Sequence, residues 1–199
     1  MSKRRTSSRA RSPSRDDMDR ERLRTLLEAV VRDADRGAQV AVDPISAVLR
    51  YTEPRDQEVA AVFASVLAFG RVAAFRPVVA AILDVADRHG GPHAYVTALD
   101  PARVRPLHPF RYRRMSGEEL GVMVRALGRV IRARGTLEQA FVVGPERHDR
   151  LASGVDALRR AVLAEQGVSD WRAISRGLRY MLPHPSGGCL LYTSPSPRD

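Results

Sequence analysis

The sequence predicts an all-α protein, and three observations carry that prediction. From residue 19 onward, apolar residues recur at intervals of three and four, the period of one helix face. Residue types that start and stop helices bracket most of these runs. No stretch of useful length alternates apolar with polar residues, as a half-buried strand would.

The first helix is built on Leu23, Leu26, Leu27, Val30 and Val31 and is expected to end near Gly37. Asp43 and Pro44 read as an N-cap with proline at the first helical position, opening a short helix through Ile45, Val48 and Leu49. Asp56 then opens a helix with the apolar face Val59, Val62, Phe63, Val66 and Leu67, closed by Gly70. The next face is Phe75, Val78, Val79, Ile82, Leu83 and Ala86, with Pro77 in the first turn or at a kink. Gly90, Gly91 and Pro92 stop it.

Residues 92–115 are turn-rich, because Asp100-Pro101, Arg105-Pro106 and His108-Pro109 limit helix length. Ser116 and Glu119 form a capping box ahead of Leu120, Met123, Val124, Leu127, Val130 and Ile131, and Gly135 ends that helix. Thr136 and Gln139 repeat the box before Ala140, Phe141 and Val142. A further helix carries Leu151, Val155, Leu158 and Val162, and a last one runs from about Asp170 to Met181. Most of these helices have one apolar face, so they need one another to form a core.

Two flanking segments stand apart. Residues 1–18 are rich in Ser and Arg and have no apolar period, so they read as a disordered basic tail. Cys189 to Asp199 reverse-translates, codon for codon, into a sequence that resembles a transposase adapter from sequencing libraries. Residues 189–199 are therefore expected to be foreign to the protein, leaving 19–188 as a truncated helical domain.

The net charge of +10 is unevenly placed. Residues 1–15 contribute six of the ten net charges, and Arg198 cancels Asp199, so residues 16–188 carry a net +4. Lys3 is the only lysine against 32 arginines, a bias that fits a GC-rich genome and discounts arginine richness as a sign of nucleic-acid affinity. No apolar run approaches the ~18–20 residues of a membrane span, and the N-terminus has no apolar signal core. The only cysteine is Cys189. A cysteine-free body has no disulfide framework and no thiolate chemistry, which fits a cytoplasmic protein.

Few residues invite chemistry. His89 and His93 have helical ligand spacing, but Gly90, Gly91 and Pro92 lie between them, so a shared helix face is not expected and no metal site is predicted. No phosphate loop, zinc spacing or nucleophile elbow is present, and no cofactor is expected. Asp56, Glu58, Glu118 and Glu119 fall at helix starts, where capping accounts for them without catalysis. The segment His108-Pro-Phe-Arg-Tyr-Arg-Arg114 is more suggestive, since Arg111, Arg113 and Arg114 can grip phosphates while Tyr112 stacks on a base. The structural alternative is that Phe110 and Tyr112 plug the core while the arginines face water. Arg71, just past Gly70, and the pair Arg176 and Arg179 are weaker cases of the same kind.

Several segments then combine into a resemblance. Asp43-Pro44-Ile45 with Arg50-Tyr51, Asp56-x-Glu58-Val59-Ala60-Ala61 and Leu67-Ala68-Phe69-Gly70-Arg71 come first. His108-Pro109-Phe110-Arg111-Tyr112-Arg113, Thr136 to Phe141 and Leu182-Pro183-His184-Pro185 follow in order. Over roughly residues 40–188 the chain resembles a bacterial family catalogued as domain of unknown function 2400. Complete members of that family are similar to helix-hairpin-helix DNA glycosylases, in which two helical halves clamp DNA and a lysine or aspartate acts at the sugar of a flipped nucleotide.

The resemblance implies an incomplete helical domain of that fold, with helices 56–69 and 72–89 in the first half. The family's Ser-Ala-Cys-Lys-Arg and Leu-Asp-Thr-His segments belong after Gly188 and are absent, so no catalytic residue is carried over. Residues 1–188 are expected to lack glycosylase and lyase activity, whatever the full-length protein does. Three readings stay open: a DNA-binding relative of base-excision enzymes, a non-enzymatic nucleic-acid-binding module, and a helical scaffold or interaction protein. Weak, sequence-independent DNA binding through Arg71, Arg111, Tyr112, Arg113 and Arg114 is the partner expectation.

Overall fold

The computed structural model describes residues 15–98, 100–143 and 147–183. Most of the basic tail and the whole adapter-like segment lie outside the described residues. The chain divides after Gln39 into two units.

In the first unit, α1 (Arg15–Asp33) begins ahead of the residue 19 where the apolar period starts. It stops short of Gly37, because the Asp35 carboxylate accepts the Ala38 amide at 3.0 Å and starts α2 (Arg36–Val42) afresh. Taken by itself, this unit leaves Leu23, Leu26, Leu27, Val30 and Val31 uncovered.

The second unit opens with α3 (Ile45–Val48), whose first amide donates to Asp43 Oδ1 at 2.8 Å. Next come α4 (Pro54–Leu67), α5 (Val72–Asp87) and α6 (Pro92–Thr97). Pro54 occupies the first position of α4, so Asp56 sits inside the helix and does not open it. Its carboxylate reaches across to accept the His93 amide of α6 at 2.8 Å. Glu58 likewise accepts the Leu137 amide at 2.8 Å, just ahead of α8 (Glu138–Phe141). Both carboxylates therefore satisfy orphan amides on other helices, not on their own. Pro77 lies in the second turn of α5.

Asp100 starts a 3₁₀ turn over Pro101–Leu107 by accepting the Ala102 amide at 2.8 Å. A hairpin follows, with β1 (Arg111–Tyr112) antiparallel to β2 (Met115–Ser116) and Tyr112 opposite Met115. The sequence showed no strand here, because two residues are too few for an alternation to register. The predicted capping box is formed at the start of α7 (Gly117–Arg134): the Glu119 amide donates to Ser116 Oγ at 3.2 Å, and the Ser116 amide to Glu119 Oε2 at 2.7 Å.

Helix α7 is the central element, packed against α6, the 3₁₀ turn, α8 and α9 (Arg147–Gln166). Beyond its predicted apolar face, Gly117, Gly121, Val122, Ala126 and Gly128 are also buried, so neighbours surround it on several sides. Gly117 and Gly128 permit close approaches, since side chains there would meet the Leu107 carbonyl of the 3₁₀ turn and the Val96 carbonyl of α6. Two of its arginines converge on Glu165 of α9, Arg125 at 3.1 Å and Arg129 at 2.8 Å.

The last expected helix, 170 to 181, is broken. Asp170 accepts the Arg172 amide to make a 3₁₀ turn over Trp171–Ala173, and Ser175 accepts the Leu178 amide to start α10 (Arg176–Met181). Short polar side chains bonding to nearby amides interrupt the run. Beneath α10, Arg159 is 8% exposed, donates to the Leu182 carbonyl at 3.0 Å and lies 4.0 Å from the Trp171 ring centroid. Burial lowers its pKa, while the ring face and carbonyl hold its charge.

Candidate functional site

Three segments meet at one corner of the second unit: the loop between α4 and α5, the hairpin, and α10. The loop turns at Gly70 (φ +84°). In the hairpin, Arg113 is the first of the two residues joining the strands and holds φ +53°, a region that costs a non-glycine residue about 1–2 kcal/mol. The two features are matched. The Arg113 guanidinium lies where a Gly70 side chain would stand, so any larger residue at 70 would displace it.

Tyr112 locks this arrangement from below. Its ring is half-buried against the core and its hydroxyl donates to the Phe69 carbonyl. The Phe69 ring in turn packs on Tyr180 of α10, with centroids 4.2 Å apart and planes tilted by 35°. Helix α10 is held to the hairpin through Glu119: the Ser175 hydroxyl donates to Glu119 Oε1, and Gly177 abuts both that carboxylate and the Arg114 carbonyl.

The structure brings Arg113, Gly70 and Arg71 together, with Tyr112 beneath. Arg71 is exposed at the N-cap of α5. Arg114 is exposed at the end of the hairpin turn. Arg111 is exposed but tied to its own segment, donating through Nη1 to the His108 and Phe110 carbonyls at 2.8 and 2.7 Å. Tyr112 and Phe110 are both half-buried, with their rings packed on the core. Among the described residues, none of Arg71, Arg113, Arg114, Arg176 and Arg179 forms an ion pair with a carboxylate.

Sequence reasoning missed the aromatic pair Phe69 and Tyr180. The available signal was Tyr180 one turn after Arg176, next to a segment already noted for its arginines.

His89 Nδ1 lies 2.8 Å from the Val85 carbonyl, and His93 donates its amide to Asp56. Among the described residues no group of three or more His, Cys, Asp or Glu is placed to hold a metal ion, and no helix is long and apolar enough to cross a membrane. A second polar cluster ties α3 to α5: Arg50 donates to Asp84 at 2.7 Å and to Asp87, and Tyr51 donates to Asp87 at 2.9 Å. Desolvation, then the Asp87 hydrogen bond, raises the Tyr51 pKa, so the phenol stays protonated. The cluster fastens helices and leaves no free acid or base.

The fold and this corner define a helical protein that presents, among the described residues, arginines without a carboxylate partner beside an exposed aromatic ring. The chain belongs to the family described as protein of unknown function (DUF2400), whose model matches residues 43–191. That span holds every element from α3 to α10 and all five candidate residues, and it runs past Gly188 into the adapter-like segment. No curated protein and no solved structure matches the chain.

Proposed function

We propose that this chain binds nucleic acid through the arginine corner around Gly70, and that its helical body is related to the helix-hairpin-helix DNA glycosylases. One observation carries the binding reading: the Arg113 guanidinium rests on Gly70 beside Arg71, and no described carboxylate neutralises either cation. A guanidinium so placed can accept a phosphate bidentately. A non-glycine residue kept at positive φ is a pattern concentrated at functional positions. The contacts would fall on phosphates, so binding is sequence-independent and salt-sensitive. Tyr112 acts as the strut beneath the site. The glycosylase relation rests on the order of the family-like segments, and no catalytic step is assigned to these residues.

The test is binding to duplex and gapped DNA across a salt series, for the chain and for a variant with Arg71, Arg111, Arg113 and Arg114 changed to Ala. Each phosphate contact contributes about −0.9 to the log–log slope on duplex, so the variant should flatten it by up to about four units. Superimposable curves would remove the corner from consideration.

A second reading, a protein-interaction chain, is favoured by the apolar face of α1, which its own unit leaves uncovered. A large exposed apolar patch commonly marks a contact surface. Mass measurement over a concentration series, with Leu26→Lys as control, distinguishes it.

A further inference from the structure

The aromatic pair beside the arginines has no structural need to be at the surface. Tyr180 is 38% exposed, although its neighbours Leu178 and Met181 on α10 are buried. Phe69 supports its ring, and the Glu119 contacts to Ser175 and Gly177 fix α10 so that this packing persists. Arg176 stands one turn before Tyr180 on the same face of α10. Next to Phe69 in the loop is Gly70, on which the Arg113 guanidinium rests. An accessible ring thus packs on Phe69, whose chain neighbour Gly70 carries the Arg113 guanidinium, and Arg176 lies one turn before that ring on α10.

The geometry points to Tyr180 as a stacking platform for an unpaired base, with Arg113 and Arg176 on the adjoining phosphates, which makes the partner single-stranded nucleic acid. This rests on the nucleic-acid reading above and deepens it. In a duplex both faces of each base are covered by its neighbours, so a surface ring finds nothing to stack on. In a single strand every base offers a face, and such stacking is tolerant of sequence. Tyr112 cannot fill this role, because its ring is packed on the core and its hydroxyl is engaged by Phe69.

The experiment measures binding of the full chain, by fluorescence anisotropy, to three labelled probes: oligo(dT), an abasic deoxyribose-phosphate strand of equal length, and a dT·dA duplex. Oligo(dT) should bind about tenfold or more tighter than the abasic strand. That ratio should hold as salt is raised, because stacking releases no counterions. Tyr180→Ala should erase the ratio and leave abasic and duplex binding in place, while Tyr180→Phe should preserve it. Tyr180→Leu, which keeps an apolar contact with Phe69 but has no ring, should likewise erase the ratio, and it replaces the alanine variant if that one fails to fold. A preference for oligo(dT) that survives Tyr180→Leu overturns the assignment. Equal binding of all three probes, weakened by the arginine changes, rejects stacking but keeps nucleic-acid binding. No binding of any probe rejects both.

Discussion

Tyr112 and Phe69 are 43 residues apart in the chain, and the phenol of the first donates to the backbone carbonyl of the second. The bond fastens the hairpin to the loop between α4 and α5, so the position of Arg113 over Gly70 depends on a contact between two otherwise separate segments. Replacing Tyr112 with Phe should cost about 1 kcal/mol, the net value of one hydrogen bond. Gly70→Ala should cost about 1–2 kcal/mol for its positive φ and should also displace the Arg113 guanidinium. Urea unfolding reads the first quantity. The salt slope on DNA reads the displacement, and a Gly70→Ala protein with unchanged stability and slope would contradict the arrangement.

Glu58 provides a second long-range tie, accepting the Leu137 amide from across the fold. Leu137 is 2% exposed, so its amide has little access to replacement water. Glu58→Ala should therefore destabilise by about 1–3 kcal/mol, the cost of an unsatisfied buried donor. Glu58→Gln retains a carbonyl acceptor and should recover most of that loss. Equal urea midpoints for the alanine variant and the parent chain would show that the amide finds another partner.

Tyr95 makes stability depend on alkaline pH. It is 1% exposed and donates to the Arg103 carbonyl at 2.9 Å, and desolvation raises its pKa to about 12 although the nearby Arg103 charge opposes the shift. An unfolded tyrosine titrates near 10, so above that pH the unfolded chain loses the proton first. The stabilising contribution is whole below pH ~10 and is lost as pH rises towards ~12. Tyr95→Phe should lower stability at neutral pH and flatten the decline over that interval, as measured by thermal unfolding at stepped pH. The raised Tyr51 acts in the same direction, so part of the decline should remain.

The arginine cluster was legible as a group because Arg111, Arg113 and Arg114 are nearly consecutive. Which of them presents a free cation was not legible. Arg111 is held by carbonyls of its own segment, whereas Arg113 is set by a turn conformation and by the vacant side-chain position at Gly70. Among the arginines, Tyr112 reads from sequence either as a stacking ring or as a core plug. The hairpin packs it against the core, because strand pairing puts it opposite the buried Met115.

The sequence by itself determined the helical class, the buried faces of α4, α5 and α7 and the local caps at Asp43 and Ser116. These depend on the 3.6-residue period and on side-chain-to-backbone bonds that span two or three residues, so nearby residues suffice to specify them. Only the tertiary structure decided that Asp56 and Glu58 serve helices other than their own, that α7 is surrounded, and that Phe69 meets Tyr180 beside Arg113. Each of those outcomes depends on two segments distant in the chain arriving at one place. The close approaches at Gly70, Gly128 and Gly177 exist only once both sides are packed, and no local period encodes which neighbour will fill the space.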